Sequence, residues 1–395
     1  MPLPGPTQIP PIGEQTDPDN VRVAAVVGGQ LASAPARGFG LTTEELTAVQ
    51  AAAGGAYQPA GNYPVKTAET RSRIVNGAMQ ISQENGDTLA TGNGYWCADQ
   101  WANTYSHGLC WSLHYPSLPT PNGSKYRLLF GISTANAAPT YWFATQPIEQ
   151  SRIADFKWGT ASARQIILRF GFQSSIAGTF SFTLRNSVPD RTYAQVFTIS
   201  AGQANTDTVQ TFVIPGDVTG NWSPASTAPG LYLQISFAGT GASTAPATGW
   251  QAGNYLSGPG GTNGMASTSN QFHVWDVGLY LDPLATGRAP AWTMPDEAQE
   301  LAACMRYWEK GVFDGAYAVA ADSNPYGSRI VFHTVKRTIP AVTASGTMSG
   351  TLSGAITAVS SATIDGFTPT RTGGGGSAGF SGTIFSSSFT ANSRM

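Results

Sequence analysis

The strongest constraint on this chain is a series of short segments between about residues 73 and 283 in which apolar and polar residues alternate and charge is nearly absent. Ile166, Leu168, Phe170 and Phe172 alternate with Ile167, Arg169, Gly171 and Gln173, and Phe180, Phe182 and Leu184 alternate with Ser181, Thr183 and Arg185. Farther on, His273, Trp275, Val277 and Leu279 alternate with Phe272, Val274, Asp276 and Gly278, a segment in which both faces read as partly buried. A period of two with one apolar face marks a strand packed on one side. Turn clusters such as Asn122-Gly123-Ser124 and Pro215-Gly216-Asp217 fall between the runs. Many short antiparallel strands at this spacing predict a mostly β protein built on an antiparallel β-sandwich of jelly-roll type.

Composition supports this reading and excludes several function classes. Charged residues make up 11% of the chain, against roughly a quarter in ordinary soluble domains. Surface polarity therefore falls to Ser, Thr, Asn, Gln and the backbone, and the 46 Gly and 26 Pro suit a turn-rich β protein. At 395 residues the chain is long enough for two or three domains. A net charge of −2 without a basic run gives no long-range attraction for a phosphate backbone, so no nucleic-acid partner is expected. Cys97, Cys110 and Cys304 do not form a disulfide framework; a Cys97–Cys110 bridge and three buried thiols both remain open. The opening Met1-Pro-Leu-Pro-Gly-Pro has neither the basic nor the apolar region of a secretory signal. No apolar run approaches the ~20 residues that span a bilayer. The expectation is synthesis in a cytosol and no membrane insertion.

Four stretches are expected. Residues 1–70 read as a proline-rich extended arm, a short helix and a linker. The helix is signalled by Thr42 and Glu45 as a capping box, with Leu46 and Val49 as its stripe and Gly54 and Gly55 as its stop. Residues 71–290 are the sandwich. Residues 291–311 are a connecting helix, with Asp296 and Glu297 at its start, Ala298, Leu301, Ala302, Met305 and Trp308 as its stripe, and Gly311 as its end. Residues 312–395 are a small Gly/Ser/Thr-rich β domain, with Gly373 to Gly376 consecutive. Such a tail buries little by itself, which suggests strands shared between subunits.

Three stretches carry a family likeness. They are Arg73 to Gly86 with Gly94-Tyr-Trp-Cys-Ala-Asp-Gln-Trp101; Ile153 to Thr160 leading to Gly178 to Asn186; and Trp250 to Tyr255 with the Phe272 strand and Glu300 to Glu309. Together they resemble the fibre and receptor-binding proteins of tailed bacteriophages, whose jelly-roll domain is similar to carbohydrate-binding modules. The closing Phe389 to Met395 resembles the end of such fibres. The resemblance spans about residues 73–312 and the extreme C-terminus, and includes no catalytic motif. It implies a homotrimer in the virion tail or fibre, residues 1–70 anchored to other virion proteins, and a distal end that meets a host-surface glycan or protein.

No residue set points to catalysis, a cofactor or a metal. Gly375 to Gly379 matches G-x-S-x-G in form, but a nucleophile elbow needs a strand before it and a helix after it. His107, His114, His273 and His333 lack metal-ligand spacing. Asp99 and Asp155 read as turn-fixing residues, with a structural calcium as the alternative, and Trp101 reads as core. Capsule cleavage would need two carboxylates at about 5 to 9.5 Å; Asp190 and Asp217 lie in expected turns. Sugar rings stack on aromatic faces, so the candidates are aromatics outside the alternating runs: Trp222, Trp250 and Tyr255, and, toward a possible distal tip, Tyr317 and Tyr326. Packing in the core or against a neighbouring subunit is the competing role for each. The competing functions are a structural virion part (head fibre, capsid decoration or baseplate), a capsule-degrading enzyme and a bacterial carbohydrate-binding module.

Overall fold

A computed structural model describes residues 22–27, 30–35, 67–222, 225–319, 325–327, 329–350, 354–371 and 381–395. The chain divides into residues 1–65 and 66–395. In the first unit β1 (Arg22–Val27) and β2 (Gln30–Pro35) pair as an antiparallel hairpin within the stretch expected to be an extended arm. The helix expected after Thr42 lies outside the described residues.

The second unit begins with a sandwich of β3 (Ala90–Thr91), β4 (Tyr95–Ala98), β5 (Trp101–Tyr105), β6 (Leu109–Tyr115), β7 (Arg127–Thr134), β8 (Tyr141–Glu149), β9 (Ile166–Ser174), β10 (Gly178–Asn186), β11 (Arg191–Ile199), β12 (Thr208–Ile214), β13 (Pro229–Gly239), β14 (Gly249–Ala252) and β15 (Gln271–Leu281). One sheet has seven strands in the order β14-β11-β10-β13-β8-β5-β4, and the other has six in the order β12-β9-β15-β7-β6-β3. The alternation read from the sequence sets which side faces in. Ile166, Leu168, Phe170 and Phe172 of one sheet meet Phe180, Phe182, Leu184, Leu231, Leu233, Ile235 and Phe237 of the other in one core. Aromatic rings interlock across it, with Phe172 edge-on to Phe197 at 5.0 Å and Trp142 edge-on to Phe272 at 5.3 Å. Each such side chain, fully removed from water, contributes about 1.5–3 kcal/mol.

β15 departs from simple alternation. Its register against β9 shifts between Trp275 and Gly278, and Asp276 has φ +47. This bulge exchanges the two faces: Phe272 and Val274 point into the core before it, and Val277, Leu279 and Leu281 after it. Trp275 is thereby turned to the outer side, where its indole lies across Gly171. The segment read as partly buried on both faces is buried on both, as one strand with two phases.

The expected connecting helix is shorter than its sequence signals imply. It spans Glu297–Met305, with the Asp296 carboxylate accepting from the Gln299 N–H at 2.9 Å. Trp308 to Gly311 belong to the next strand, because there the backbone pairs with the chain's last strand. The helix buries Cys304 against Val75, Ile81 and Tyr307, with Leu301 beside them, while Ala298 and Ala302 face solvent.

The C-terminal module contains β16 (Trp308–Val319), β17 (Pro325–Gly327), β18 (Ile330–Val331), β19 (Ala341–Gly350), β20 (Gly354–Ser360), β21 (Gly366–Arg371) and β22 (Ser381–Asn392). Their order is β17-β16-β22-β19-β20-β21-β18. β17 and β18 are consecutive in the chain yet sit at opposite edges, so the sheet curls round until one stretch of backbone joins both. Phe313, Phe332, Phe367 and Phe389 fill the interior with Ala344, Ile356 and Ala391. The described strands of the Gly/Ser/Thr-rich tail pair with one another within the chain. Four phenylalanines spaced far apart in sequence supply the core that composition alone seemed to lack.

Charged clamps join this module to the sandwich. Arg306 donates to both oxygens of buried Glu149 at 2.9 and 2.6 Å, and the Tyr307 hydroxyl donates to the same carboxylate at 3.0 Å. Arg394 pairs with Glu84 and lies over the rings of Trp96 and Trp308.

The glycine beneath Trp275 yields a prediction. A Cβ at Gly171 would come within 2.1 Å of the indole, so Gly171→Ala should destabilise the fold by about 1–3 kcal/mol. A fall of several degrees in the thermal midpoint checks it, and an unchanged midpoint would place the indole elsewhere.

Candidate functional site

Three places outside the core bring together side chains that could hold a ligand. The first is a cleft of about 420 Å³ at one end of the sandwich, lined by Gln150, Phe156, Lys157, Trp158, Thr160, Ser162 and Trp222. Of the tryptophans singled out in the sequence, Trp222 lines it, and Trp250, which lies on β14 and not in a loop, packs behind it; the rings of both are engaged by the protein. Trp158, Trp222 and Trp250 pack edge-to-face on one another at 4.8–5.6 Å. Their indole N–H groups donate to Arg164 O at 2.9 Å, to Asp217 Oδ2 at 2.8 Å and to Pro215 O at 2.9 Å, respectively. Asp217 is buried and is also held by Arg191 at 2.8–3.0 Å. Trp222 is 3% exposed. A loop tryptophan of this kind closes the end of the core, and its ring is taken up by its neighbours.

The second place is the outer side of the six-stranded sheet, and the sequence reading missed it. Along β6, Leu109, Trp111, Leu113 and Tyr115 alternate with Cys110, Ser112 and His114. Hydrophobicity alone would bury the first set. The structure does the reverse: Cys110, Ser112 and His114 are buried, Leu109 is exposed and Trp111, Leu113 and Tyr115 are half-buried. His114 fixes this register, bonding through Nδ1 to Asp87 at 2.7 Å and through Nε2 to the Met79 carbonyl at 2.6 Å. Trp111 stands opposite Gly131 in β7, and its indole covers the site a Cβ would occupy there. Nearby, Trp275 lies across Gly171 in the same manner, but its ring is capped by the Arg127 guanidinium at 4.3 Å. Arg127 in turn is fixed by Asp207 and by the carbonyls of Leu118 and Pro119. Among the described residues, no cation, ring or hydrogen-bond partner engages Trp111. The signal available in the sequence was a conflict: a strand apolar on one face whose opposite face carries a histidine that needs partners.

The third place is the outer side of the seven-stranded sheet. Arg185 on β10 faces Thr192 on β11 and Tyr232 on β13, and its guanidinium lies 4.7 Å from the centre of the Tyr232 ring. Tyr255 is tied to the same strands, its backbone N–H donating to Thr192 Oγ1 at 3.2 Å, and it is half-buried. The remaining candidates, Tyr317 and Tyr326, have their backbones on the paired strands β16 and β17; their side chains lie outside the described residues. The four glycines and the G-x-S-x-G match lie outside them as well.

Other expectations resolve as follows. Trp101 is fully buried and its N–H donates to Asn76 O at 3.2 Å. Asp99 accepts from the Gln83 backbone N–H at 2.9 Å within a turn. Asp155 is an ion-pair partner and not a turn-fixing residue, with Arg73 Nη2 at 2.6 Å. Cys97, Cys110 and Cys304 are free, buried thiols, and burial pushes the first two up to about 12. Among the described residues, no group of three His, Cys, Asp or Glu side chains could hold a metal ion.

No family model matches this sequence, and no curated protein does. Solved structures with a similar arrangement include a domain of tailspike protein 4 of bacteriophage CBA120 (12% identity, TM-score 0.27, covering 53% of this chain and 21% of that one). They also include a family 4 carbohydrate-binding module (12%, 0.26, covering 52% and 98%) and a family 61 module in complex with β-1,4-galactotriose (8%, 0.28, covering 54% and 99%). The chain thus spans about a fifth of the tailspike domain's length and nearly all of each module's. The likeness concerns the β-sandwich fold.

Two outcomes are expected. Trp222→Ala should cost about 3–5 kcal/mol of stability, as loss of a large buried aromatic does, read as a drop in the denaturant midpoint. His273 is 7% exposed on the outer sheet face, and burial, then the Arg127 charge, hold its pKa down to about 4. In the unfolded chain it takes up a proton near 6.5, so its neutral form stabilises the fold fully above pH 6.5 and loses that contribution as pH falls toward 4. The gap of 6.5 − 4 amounts to about 3 kcal/mol. The stability difference between the native sequence and His273→Gln should therefore change by about that amount between pH 7 and pH 4; a difference constant with pH would contradict it.

Proposed function

We propose that this protein is a non-catalytic adhesion component of a virion fibre that attaches to host-surface glycan through its sandwich. The observation that carries the reading is the Trp111 shelf: an indole held across Gly131, on a strand whose apolar residues face water, with no partner among the described residues. Sugar rings present C–H faces to such a shelf, and an isolated face of this kind gives weak binding. A fibre compensates through copy number, since linked sites raise effective concentration. The homotrimer, the attachment of residues 1–70 to other virion proteins and the place of the module 312–395 at the distal end are parts of the same proposal. The low charge fits adhesion that tolerates salt, because few exposed ion pairs exist to be screened.

The test is binding of the full chain to a panel of purified bacterial surface polysaccharides, by affinity electrophoresis. Trp111→Ala should weaken retention by about tenfold or more, roughly the 1–3 kcal/mol of one stacked ring, while its thermal midpoint stays close to that of the native sequence. Release of reducing ends would replace the adhesion reading with that of a capsule-degrading enzyme. Retention unchanged in Trp111→Ala would remove the shelf from the mechanism.

A further inference from the structure

The outer side of the seven-stranded sheet carries a charge that the fold does not neutralise. Arg185 is half-buried and its Nε–H is shut off from water without an acceptor. Among the described residues, two other arginines, Arg73 and Arg394, also have a buried Nε without an acceptor, and each has a carboxylate beside it. Arg185 has none. It rests on the Tyr232 ring, with Thr192 across one strand and Tyr255 tied to Thr192.

We infer that Arg185 is the receptor for the carboxylate of an acidic sugar, a uronic acid unit in the glycan this protein binds. The inference rests on the glycan-binding reading and names its chemical class. A planar guanidinium offers parallel N–H donors that match a carboxylate in a two-bonded arrangement. A single uncompensated positive charge suits a monoanion, which favours a carboxylate over a phosphate dianion. Tyr232 supports the guanidinium at 4.7 Å from its ring centre, which limits the side-chain freedom lost on binding. Tyr255, half-buried and held by its backbone to Thr192 across the strand from Arg185, lies in the same region. The site is distinct from the Trp111 shelf, since it lies on the opposite sheet.

The experiment uses the full chain with polygalacturonate, alginate and hyaluronan as probes, and with methyl-esterified polygalacturonate as the same sugar without its charge. The expected result is retention by at least one polyuronate, and loss of at least about tenfold in affinity in Arg185→Ala, equivalent to 1.4 kcal/mol or more. Arg185→Lys should fall between the two, because it keeps the charge and loses the fork. The thermal midpoint of Arg185→Ala should not fall, whereas a purely structural stacking role on Tyr232 would lower it. Retention unaffected in Arg185→Ala, equal binding of the methyl ester, or stronger displacement by glucose 6-phosphate than by galacturonate would each overturn the inference. Should neutral glycans bind through Trp111 while all three polyuronates fail, the uronate assignment falls and adhesion stands. Should no glycan bind, both fall.

Discussion

The face-to-face packing of the two sheets governs every surface in the body of this protein. A strand has only two faces, so once Phe170, Phe172, Phe182 and Phe237 are committed to the core, the residues between them must point outward. The same rule makes β6 informative. A slip of one residue would bury Trp111 and Leu113 and expose Cys110 and Ser112, which hydrophobicity by itself favours. The observed register is held by His114 with its pair of bonds beneath the sheet, and it leaves the indole over Gly131 above it. A smaller residue opposite a larger one is how this sheet keeps an aromatic ring on its outside.

Charge is scarce in this chain, and much of it is used inside. Glu149 with Arg306, Glu309 with Lys336 and His333, and Glu84 with Arg394 all lie where the sandwich, the helix and the C-terminal module meet. A buried carboxylate left without its partner costs far more than a surface pair contributes, so these contacts fix geometry more than they add stability. The Arg306 contacts hold the Glu149 carboxyl below its ordinary range despite the burial that pushes it up. Lys336 supplies a third contact, reaching both the Met305 carbonyl at the helix end and Glu309 on β16.

The sandwich was legible in the sequence wherever alternation was strict, as in β9 and β10. A local event that changed the phase left no sign in it. β15 is buried on both faces, as read, but the bulge at Asp276 exchanges which residues face the core, and a positive φ at a single residue leaves no periodic trace. The length of the helix was misjudged because Trp308 to Gly311 fit a helical stripe as well as a strand, and pairing with β22 decides between them only in three dimensions. Two of the aromatic candidates have rings that the protein itself engages, for a related reason. Trp222 and Trp250 were chosen because loop tryptophans seemed free of the core, yet Trp250 lies on β14, and both meet Trp158 and cover the core's end. Trp111 was passed over because its strand looked like interior. Arg185 stood in view in an alternating run, and nothing in the sequence marks a charge by the absence of its partner.

The two proposed contacts also constrain how a glycan could be gripped. They lie on opposite outer faces of a sandwich whose sheets are spaced about 10 Å apart, and side chains on each face add to that separation. A straight segment of a few sugars cannot lie on both. Either one long chain folds around the edge of the sandwich or each face takes a separate chain. In the second case the Trp111 side selects for an accessible ring face and the Arg185 side for a negative charge, and a polymer offering both along its length is held by many copies at once. Weak sites with different chemistry, spread over a rigid body, reject surfaces that satisfy only one of them, and this yields specificity without a deep pocket.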